Sequence, residues 1–541
     1  MSLFTKAVPT LALAVLLVGC EGDDGLDGRD GVDGTDGSNG FNSLVRTRTL
    51  PRGDANCPGG GRVLESGLDT NRNNVLDDSE VTGSEFLDCA TAPRLRALHA
   101  SADAPAVNII VNGGQALADV DYRQGSGFLA VAETTRVQVE GIIPGGNAIV
   151  IDETLSLEFS RDYTVIAAGP VAGIGALVFS NPTDSPITPG SLRAQVVHAA
   201  SNAPAVDVYI TTPGADLAAS APISSGLSFT EASGRVEAVA GDYQIRVTLA
   251  GNPATVVYDT GTVSLPAGAD LLAVAVENVG PGATPIQVVL MDGTGAADLL
   301  DKATPASVVA VHASPDAPAV DVLADDASTP ATEALVLGAG LPFPAFCEIA
   351  AVPAPGSYNI SITAAGDPSV VALQFPLSVS QGDELTAIVT GFLSSGTPAI
   401  QPLPLINDRR SVATEAKLRI THGSPSTPAV DIYLVADGTD LLDPATTPAF
   451  SAVPFGANTG ILSIGAGTYD VYVTPAGDKG VVAIEVQDAA FTGGEVLDVI
   501  ARDPQVDGSE GPLPQLIILD YSALGACPTG GPAGGFGHSH H

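Results

Sequence analysis

The sequence predicts an all-β protein made of tandem antiparallel, immunoglobulin-like β-sandwich repeats, and three observations lead to this prediction. Polar and apolar residues alternate with the period of a β-strand in many short segments, such as Val206–Ile210. The 61 glycines and 41 prolines interrupt the chain between these segments, and helical periodicity is nearly absent. A ten-residue motif also recurs four times, at intervals close to the length of a β-sandwich domain.

The recurring motif begins with a histidine and ends, nine residues later, with aspartate or asparagine. Its copies occupy residues 99–108, 198–207, 312–321 and 422–431, so the histidines are 99, 114 and 110 residues apart. This period indicates tandem domains rather than a solenoid of short repeats. We therefore expect four repeats, each folding as a separate β-sandwich, at residues 93–187, 191–302, 306–407 and 415–522.

Each repeat contains further landmarks in a constant order. A strand follows the motif, and a Gly-x-Tyr turn opens a mid-repeat strand in three copies, whereas the first copy has Gly145-Gly146-Asn147 there. Later apolar runs lie at 163–168, 271–276, 385–389 and 496–501, and final strands at 176–179, 286–291, 399–403 and 516–519. About seven short strands in about a hundred residues are typical of a β-sandwich. Proline-rich joints separate the repeats.

The charge of the chain is strongly unbalanced. Aspartate and glutamate total 61 against 22 lysines and arginines, and the net charge is −39. Such a charge repels nucleic acid and anionic lipid head groups, which excludes two classes of partner. Hydrophobic residues nevertheless make up 45% of the chain, which is not the composition of a disordered protein.

The N-terminus predicts a lipid anchor. The apolar stretch Ala7–Leu17 is too short to span a bilayer, so we interpret residues 1–19 as a signal peptide. Leu17-Val18-Gly19-Cys20 matches the bacterial lipobox, in which the cysteine sulfur receives a diacylglycerol. The alternative is an ordinary signal peptide followed by a chance cysteine. Glu21 after Cys20 favours an outer-membrane lipoprotein exposed at the cell surface.

A glycine-rich segment at residues 20–42 follows the anchor. Glycine occupies every third position from Gly22 to Gly40, and aspartate follows in most triplets. The period is that of collagen, but the segment has no proline. We interpret it as a flexible acidic stalk. Trimerisation through these triplets is the alternative and would need help from elsewhere in the chain.

A small module between the stalk and the first repeat, residues 43–92, contains two of the five cysteines. Cys57 and Cys89 bracket this module, and in an oxidising compartment they are expected to form a disulfide. Cys347 and Cys527 remain, and the sequence alone leaves their pairing open.

The module also contains a candidate calcium loop at residues 69–80. Oxygen-bearing side chains stand at Asp69, Asn71, Asn73, Asp77 and Glu80, and Val75 would contribute its carbonyl oxygen. This spacing can wrap oxygen ligands around one hard cation, with the final glutamate binding through both oxygens. Asn74 stands where glycine is usual. We expect a weak calcium site, and an acidic turn without an ion is the alternative.

The repeats resemble the bacterial family known as domain of unknown function 4397. The motif at residues 312–321 matches the first ten letters of the family's opening, HASPDAPAVD, without change. The resemblance extends over about residues 94–522. It implies a secreted or envelope protein, and it supplies no catalytic residues. The stalk and the cysteine-bracketed module look like the N-terminal part of collagen-like surface lipoproteins.

The motif histidines invite a comparison of structural and chemical roles. The four pairs are His99 with Asn108, His198 with Asp207, His312 with Asp321 and His422 with Asp431. We expect a hydrogen bond within each pair that ties the motif to the next strand. A metal role is less favoured, because one histidine per repeat cannot complete a coordination shell. The tail, residues 523–541, is predicted to be a Gly/His-rich solvated segment.

Known catalytic motifs are absent from the sequence, including nucleophile-elbow, zinc-protease and phosphate-loop patterns. We therefore expect a non-catalytic, lipid-anchored envelope protein that acts as a structural or adhesive module on an unknown envelope or extracellular ligand. A carbohydrate-recognition protein is the alternative, although aromatic residues make up only 5% of the chain. A secreted hydrolase is the least favoured reading.

Overall fold

The computed structural model describes residues 40–183, 185–326, 334–349, 355–394 and 396–529. The predicted signal peptide, Cys20, most of the stalk and the end of the tail lie outside these ranges. Within them the regular structure is β-strand, apart from three short 3-10 helices at Asp78–Glu80, Val171–Gly173 and Leu217–Ala219. None of the described segments forms an apolar helix long enough to cross a membrane. The chain divides into two compact units, one ending at Cys89 and one beginning at Ala90.

The first unit contains a three-stranded antiparallel sheet. Its strands are β1 (Ser43–Leu50), β2 (Gly61–Leu68) and β3 (Val81–Leu87), and β2 lies in the centre. A small core of Leu50, Cys57 and Val63 packs against Cys89. The structure contains the predicted disulfide between Cys57 and Cys89. With so few buried residues, this bridge contributes a large share of the stabilisation of the unit.

The second unit contains the four repeats, and each of them forms two packed sheets. Repeat 1 contains β4 (Arg94–Ala100), β5 (Val107–Val111), β6 (Gly114–Val120), β7 (Leu129–Ala130), β8 (Thr134–Gly141), β9 (Ala148–Ser156), β10 (Arg161–Ala168) and β11 (Gly175–Pro182). Repeat 2 contains β12 (Ser191–His198), β13 (Val206–Thr211), β14 (Ser224–Leu227), β15 (Val236–Val239), β16 (Gly241–Leu249), β17 (Asn252–Leu265), β18 (Asp270–Glu277), β19 (Ile286–Met291) and β20 (Ala296–Leu299).

Repeats 3 and 4 have the same plan. Repeat 3 contains β21 (Ser307–Ala313), β22 (Val320–Asp326), β23 (Leu335–Leu341), β24 (Phe346–Glu348), β25 (Gly356–Ala364), β26 (Asp367–Val379), β27 (Glu384–Thr390) and β28 (Gln401–Ile406). Repeat 4 contains β29 (Glu415–His422), β30 (Val430–Ala436), β31 (Phe450–Val453), β32 (Leu462–Gly465), β33 (Gly467–Pro475), β34 (Ile484–Phe491), β35 (Val496–Arg502) and β36 (Gln515–Asp520). The all-β prediction is confirmed.

The strand order corrects one part of the predicted fold. In repeat 1 the sheets run β11-β10-β4-β7 and β6-β5-β8-β9, and repeats 3 and 4 have equivalent orders. The first strand of each repeat pairs in parallel with a late strand, as β4 does with β10, so a purely antiparallel sandwich is wrong. In repeat 1 the chain passes from β4 to the second sheet for β5 and β6 and returns to the first sheet for the edge strand β7. It then completes the second sheet with β8 and β9 and comes back as β10, beside β4 and in the same direction. All other ladders between these strands are antiparallel.

The repeats also share buried surfaces in pairs. Leu98 and Ile166 of repeat 1 belong to one apolar cluster with Val274, Val289 and Met291 of repeat 2. Burial of this shared surface stabilises both members, since apolar area contributes about 25 cal/mol per Å² removed from water. Each of these two repeats has its own two sheets and also shares this apolar cluster with its neighbour.

Repeats 3 and 4 form a second pair by the same means. Val311 and Ile388 of repeat 3 pack with Ile500, Ile517 and Leu519 of repeat 4. Every residue of β21 is buried, because one face of this strand lies in its own sandwich and the other lies against repeat 4. Such strands have continuous apolar runs instead of alternating sequences.

The joint between repeats 3 and 4 connects this second pair to repeat 1. The guanidinium of Arg410 donates to the carbonyl oxygens of Ala104, at 2.7 Å, and Ala102, at 3.2 Å. It also pairs with the carboxylate of Asp121 and lies 5.7 Å from the centre of the Tyr122 ring. This joint, residues 407–414, contains no proline, so the prediction of a proline-rich joint is wrong here. Through Arg410 the joint is part of the packing of the second unit.

A second disulfide closes the C-terminal end of the unit. Cys347 on β24 is bonded to Cys527, which lies after β36, and both sulfurs are part of the core of repeat 3. The amide of Cys527 donates to the carbonyl oxygen of Glu348 at 2.7 Å. The pairing that the sequence left open is thus present, and it ties the end of the chain to repeat 3.

Candidate functional site

The four motif histidines make the same contact in every repeat. Each imidazole Nε2 lies against the carbonyl oxygen of the proline six residues later, at 2.9 Å in repeat 1, 3.1 Å in repeat 2 and 3.0 Å in repeats 3 and 4. A carbonyl oxygen can only accept, so Nε2 carries the hydrogen. Burial lowers the pKa of all four imidazoles, which keeps them neutral at physiological pH.

The predicted hydrogen bond between histidine and aspartate is wrong. Asp207 instead accepts from the backbone amides of Gly226, at 2.7 Å, and Gly251, at 2.8 Å. The motif crosses from one sheet to the other between the two residues, so His198 lies on β12 in one sheet and Asp207 lies on β13 in the other. The two side chains therefore have different neighbours.

The same aspartate contact recurs in the last two repeats. Asp321 accepts from the amides of Gly340 and Gly366, and Asp431 accepts from those of Ala452 and Gly477, all at 2.7 to 2.8 Å. These four donors have positive φ, so each aspartate stabilises two sharp bends of the neighbouring strands.

Repeat 1 has asparagine at this position and a different partner. Asn108 accepts from the amide of Asp119 at 3.2 Å and donates to the carboxylate of Glu140 at 2.9 Å. Glu140 lies directly across the ladder from Asn108, whereas the aspartates of the other repeats lie opposite threonine. An aspartate at position 108 would meet a second carboxylate, and the neutral amide avoids that repulsion.

The central residues of the motif also make structural contacts. The hydroxyls of Ser101 and Ser314 donate to the carbonyl oxygens of Gly169, at 2.5 Å, and Gly391, at 2.6 Å. Each accepting glycine directly follows the late strand that pairs in parallel with the first strand. The motif is therefore a set of fold-stabilising hydrogen bonds that joins both sheets of a repeat.

The candidate calcium loop is extensively hydrogen-bonded. Asp69 is 1% exposed, and its carboxylate accepts from the amides of Asn73 and Asn74 at 2.9 Å. Glu80 accepts from the amides of Asp77, at 3.1 Å, and Thr70, at 2.8 Å. These hydrogen bonds hold the pKa of the Glu80 carboxyl below its usual value, and the bond from the Asp77 amide has the largest effect.

Three of the predicted ligands converge in this loop. The side-chain amides of Asn71 and Asn73 lie 2.7 and 2.9 Å from one carboxylate oxygen of Asp77. Val75 is 58% exposed, and Asn74 has a φ of 60°, which is the left-handed geometry that this position of the loop requires. The oxygens of these two amides accept from backbone amides, that of Asn71 from Asn73 at 3.0 Å and that of Asn73 from Val75 at 2.7 Å, so the amide nitrogens face Asp77.

The described part of the chain holds no group of three or more His, Cys, Asp or Glu side chains positioned to bind a metal ion. The three carboxylates of the predicted calcium loop, Asp69, Asp77 and Glu80, therefore do not form such a group either. The structure does not bring the motif histidines together, since each lies in its own repeat. The predicted lipidation site at Cys20 lies outside the described residues.

One site was not predicted from the sequence. Arg94, Arg96 and Arg235 line a cavity of about 260 Å³ between repeats 1 and 2, together with the ring of Phe128. The sequence of the repeats nevertheless contains a pattern that points to this site. Arg96 and Arg419 both stand three residues before a motif histidine, in a chain that has only 22 lysines and arginines. Aligning the repeats would have singled out both residues.

Comparison with protein families identifies three segments. Residues 93–209 and 306–433 match the family described as Domain of unknown function (DUF4397), and residues 42–88 match Domain of unknown function (DUF7151). The resemblance to DUF4397 is confirmed for these two copies. Each copy runs from the first strand of one repeat to the second strand of the next and contains two motifs.

Comparison with individual proteins adds little. No curated protein matches the chain. Among solved structures, the product complex of a multi-modular glycogen-degrading pneumococcal virulence factor, SpuA, aligns with 10% identity and a TM-score of 0.12. The alignment covers 51% of this chain and 37% of that one, so the chain spans well under half the length of the structure that it matches.

Proposed function

We propose that this chain, with its two DUF4397 segments and one DUF7151 segment, is a non-catalytic surface protein of the bacterial cell envelope, anchored through a lipid on Cys20. The observation that favours a scaffold is the role of the repeated motif. Its histidines, serines and aspartates bond to backbone groups that bend or end strands, and such contacts serve folding. The part of the sequence that recurs is the part that builds the fold.

Two further features support a location outside the cytoplasm. The described chain contains two disulfides, which form and persist in oxidising compartments. The net charge of −39 keeps a protein with 45% hydrophobic residues soluble at an exposed surface. On this proposal, the paired repeats present a stable surface to an envelope or extracellular ligand.

The experiment is a detergent partition of the full chain expressed in a bacterial host. Wild type should enter the detergent phase, and Cys20→Ser should remain in the aqueous phase, because it lacks the thiol that receives the lipid. The matched control is the double variant Cys347→Ser with Cys527→Ser, which removes the second disulfide, leaves Cys20 in place and should partition like wild type. Equal partitioning of wild type and Cys20→Ser contradicts the anchor.

We propose in addition that the DUF7151 segment binds calcium weakly. The ligands would be the side chains of Asp69, Asn71, Asn73, Asp77 and Glu80 and the carbonyl oxygen of Val75. The five oxygen-bearing side chains at the spacing of a calcium loop and the left-handed backbone of Asn74, with a φ of 60°, support this site. Bound calcium would neutralise part of the charge of the loop and stabilise a unit with a small core.

A further inference from the structure

Arg96 is a buried cation with an incomplete set of partners. Its side chain lies on β4 and the residue is 6% exposed. The Nε hydrogen donates to the hydroxyl of Thr164 at 2.9 Å, whereas Nη1 is buried without a hydrogen-bond partner among the described residues. Burial lowers the pKa of this guanidinium to about 10. Among the described residues no carboxylate pairs with it directly, although Asp162, Asp270 and Asp292 act on its charge through space and raise its pKa.

Repeat 4 contains the same arginine with its counter-charge. Arg419 is 4% exposed and occupies the equivalent position on β29. It lies across the parallel ladder from Asp498 and pairs with both oxygens of that carboxylate, one of them at 2.8 Å. In repeat 1 the residue across the ladder from Arg96 is Thr164, which is similar in size but carries no charge. Repeat 1 therefore has the buried arginine of repeat 4 and lacks its carboxylate.

A cavity lies where this counter-charge is missing. The space of about 260 Å³ beside Arg96 is lined by Arg94, Arg235 and Phe128. The other two arginines already have carboxylate partners, since Arg94 bonds to both oxygens of Asp162 at 2.7 Å and Arg235 pairs with Asp270. Arg96 is thus the one cation around this described cavity that has no directly paired carboxylate.

The ring of Phe128 forms an apolar wall of the same cavity. The guanidinium carbons of Arg96 and Arg94 lie 4.5 and 4.8 Å from its centre. The backbone amide of Phe128 donates to Gly293 of repeat 2 at 3.1 Å, which holds the ring at the junction of the two repeats. A charged donor beside an aromatic surface is suited to a ligand with one acidic group and an apolar body.

We propose that this cavity binds a small organic carboxylate, whose acidic group takes beside Arg96 the place that Asp498 takes beside Arg419. A planar carboxylate matches the donor geometry of a guanidinium. Asp162, Asp270 and Asp292 also line the cavity, and they repel a dianion such as phosphate about twice as strongly as a carboxylate with one charge. An engineered cavity of about 150 Å³ holds benzene, so this space is sufficient for a ring with a carboxylate. The site is independent of the lipid anchor.

The experiment measures benzoate binding to the full, correctly folded chain by isothermal titration calorimetry. Wild type should bind one benzoate per chain. Thr164→Asp places a carboxylate opposite Arg96 and should weaken benzoate binding at least tenfold while raising the melting temperature. The matched control, Thr164→Val, changes the same position without adding charge and should still bind. The exposed Arg136→Gln in repeat 1 controls for general loss of positive charge and should bind like wild type.

Three results would overturn the proposal. The first is the absence of saturable benzoate binding to wild type, and the second is wild-type affinity in Thr164→Asp. The third is equal binding of benzyl alcohol or of inorganic phosphate, which would mean an apolar cavity or a general anion site. Arg96→Met should abolish binding as well. If that variant does not fold, the two substitutions at Thr164 decide the question, and neither result bears on the partitioning of Cys20→Ser.

Discussion

The imidazole of His312 donates its Nε2 hydrogen to the carbonyl oxygen of Pro318, 3.0 Å away, across the turn that joins β21 to β22. On the other side of the ring, Nδ1 accepts from the amide of Ser314 at 3.4 Å. Protonation would convert this acceptor into a donor and place a charge in a buried site. The neutral ring is therefore the form that stabilises the turn.

The first prediction follows from this neutral form. Burial lowers the pKa of His312 in the folded chain below the value of about 6.5 that it has when unfolded. Since the unfolded chain then binds more protons, the contribution of His312 to stability is full above pH 6.5 and is lost as the pH falls below it. Urea unfolding midpoints measured at pH 7.5, 6.0 and 5.0 should fall in that order.

The control for this prediction is His312→Phe, which fills the site with a ring that does not titrate. It should be less stable than wild type at pH 7.5, by about 1 to 3 kcal/mol, because the carbonyl oxygen of Pro318 loses its donor. Its midpoint should also depend less on pH than that of wild type. The same pH dependence in both proteins would assign the effect to other groups.

The second prediction concerns the cross-strand pair of Asn108 and Glu140 in repeat 1. Asn108→Asp alone should destabilise the chain by about 1 to 3 kcal/mol, because two carboxylates would then lie across one ladder. Adding Glu140→Thr recreates the Asp-Thr combination of the other three repeats and should restore most of the stability. Thermal unfolding of both single variants and the double variant measures the coupling between the two positions. Purely additive effects would contradict it.

The third prediction concerns the pairing of repeats. Residues 306–406, produced alone, should aggregate or unfold easily, because Val311, Phe346 and Ile388 lose the cover of repeat 4. Residues 306–529 contain both members of the pair and should be soluble and fold cooperatively. Circular dichroism and analytical ultracentrifugation of the two fragments compare them directly. A stable monomeric third repeat would show that the shared surface is dispensable.

The fourth prediction is calcium binding by the cysteine-bracketed module. Calcium at millimolar concentration should raise the melting temperature of the oxidised chain's first transition, with a dissociation constant of about 10⁻⁴ to 10⁻³ M. Glu80→Gln should remove the effect, whereas Asp78→Asn, an exposed neighbour outside the ligand set, should keep it. Calorimetric titration and magnesium as a competing ion complete the test. No heat and no melting shift in wild type would leave the loop as a hydrogen-bonded turn only.

Local patterns in the sequence predicted local structure well. The alternation at Val206–Ile210 corresponds to β13, and the apolar run at residues 163–168 lies within β10. Sequence patterns did not predict which elements pack together when those elements are distant in the chain. The apolar residues on both sides of β21 indicate burial on two faces, but nothing local states that the second face meets repeat 4.

At the candidate sites, too, the sequence indicated single residues but not their partners. The histidine-aspartate spacing suggested a side-chain pair, yet both residues bond to backbone groups, which no sequence pattern displays. The partner of Arg419 is Asp498, 79 residues away, and the matching Thr164 is 68 residues from Arg96. Only the register of the parallel ladder shows that these positions correspond. The lipid anchor, by contrast, rests entirely on the sequence.

Pairing has a consequence for how such chains can lengthen or shorten. A gene duplication that adds a single repeat leaves one apolar face of the type formed by Val311 and Ile388 with nothing to cover it. A duplication that adds two repeats supplies its own cover. We therefore expect viable descendants of this chain to gain or lose repeats in twos, and an odd copy to persist only where its outward face has become polar or where two molecules associate through it.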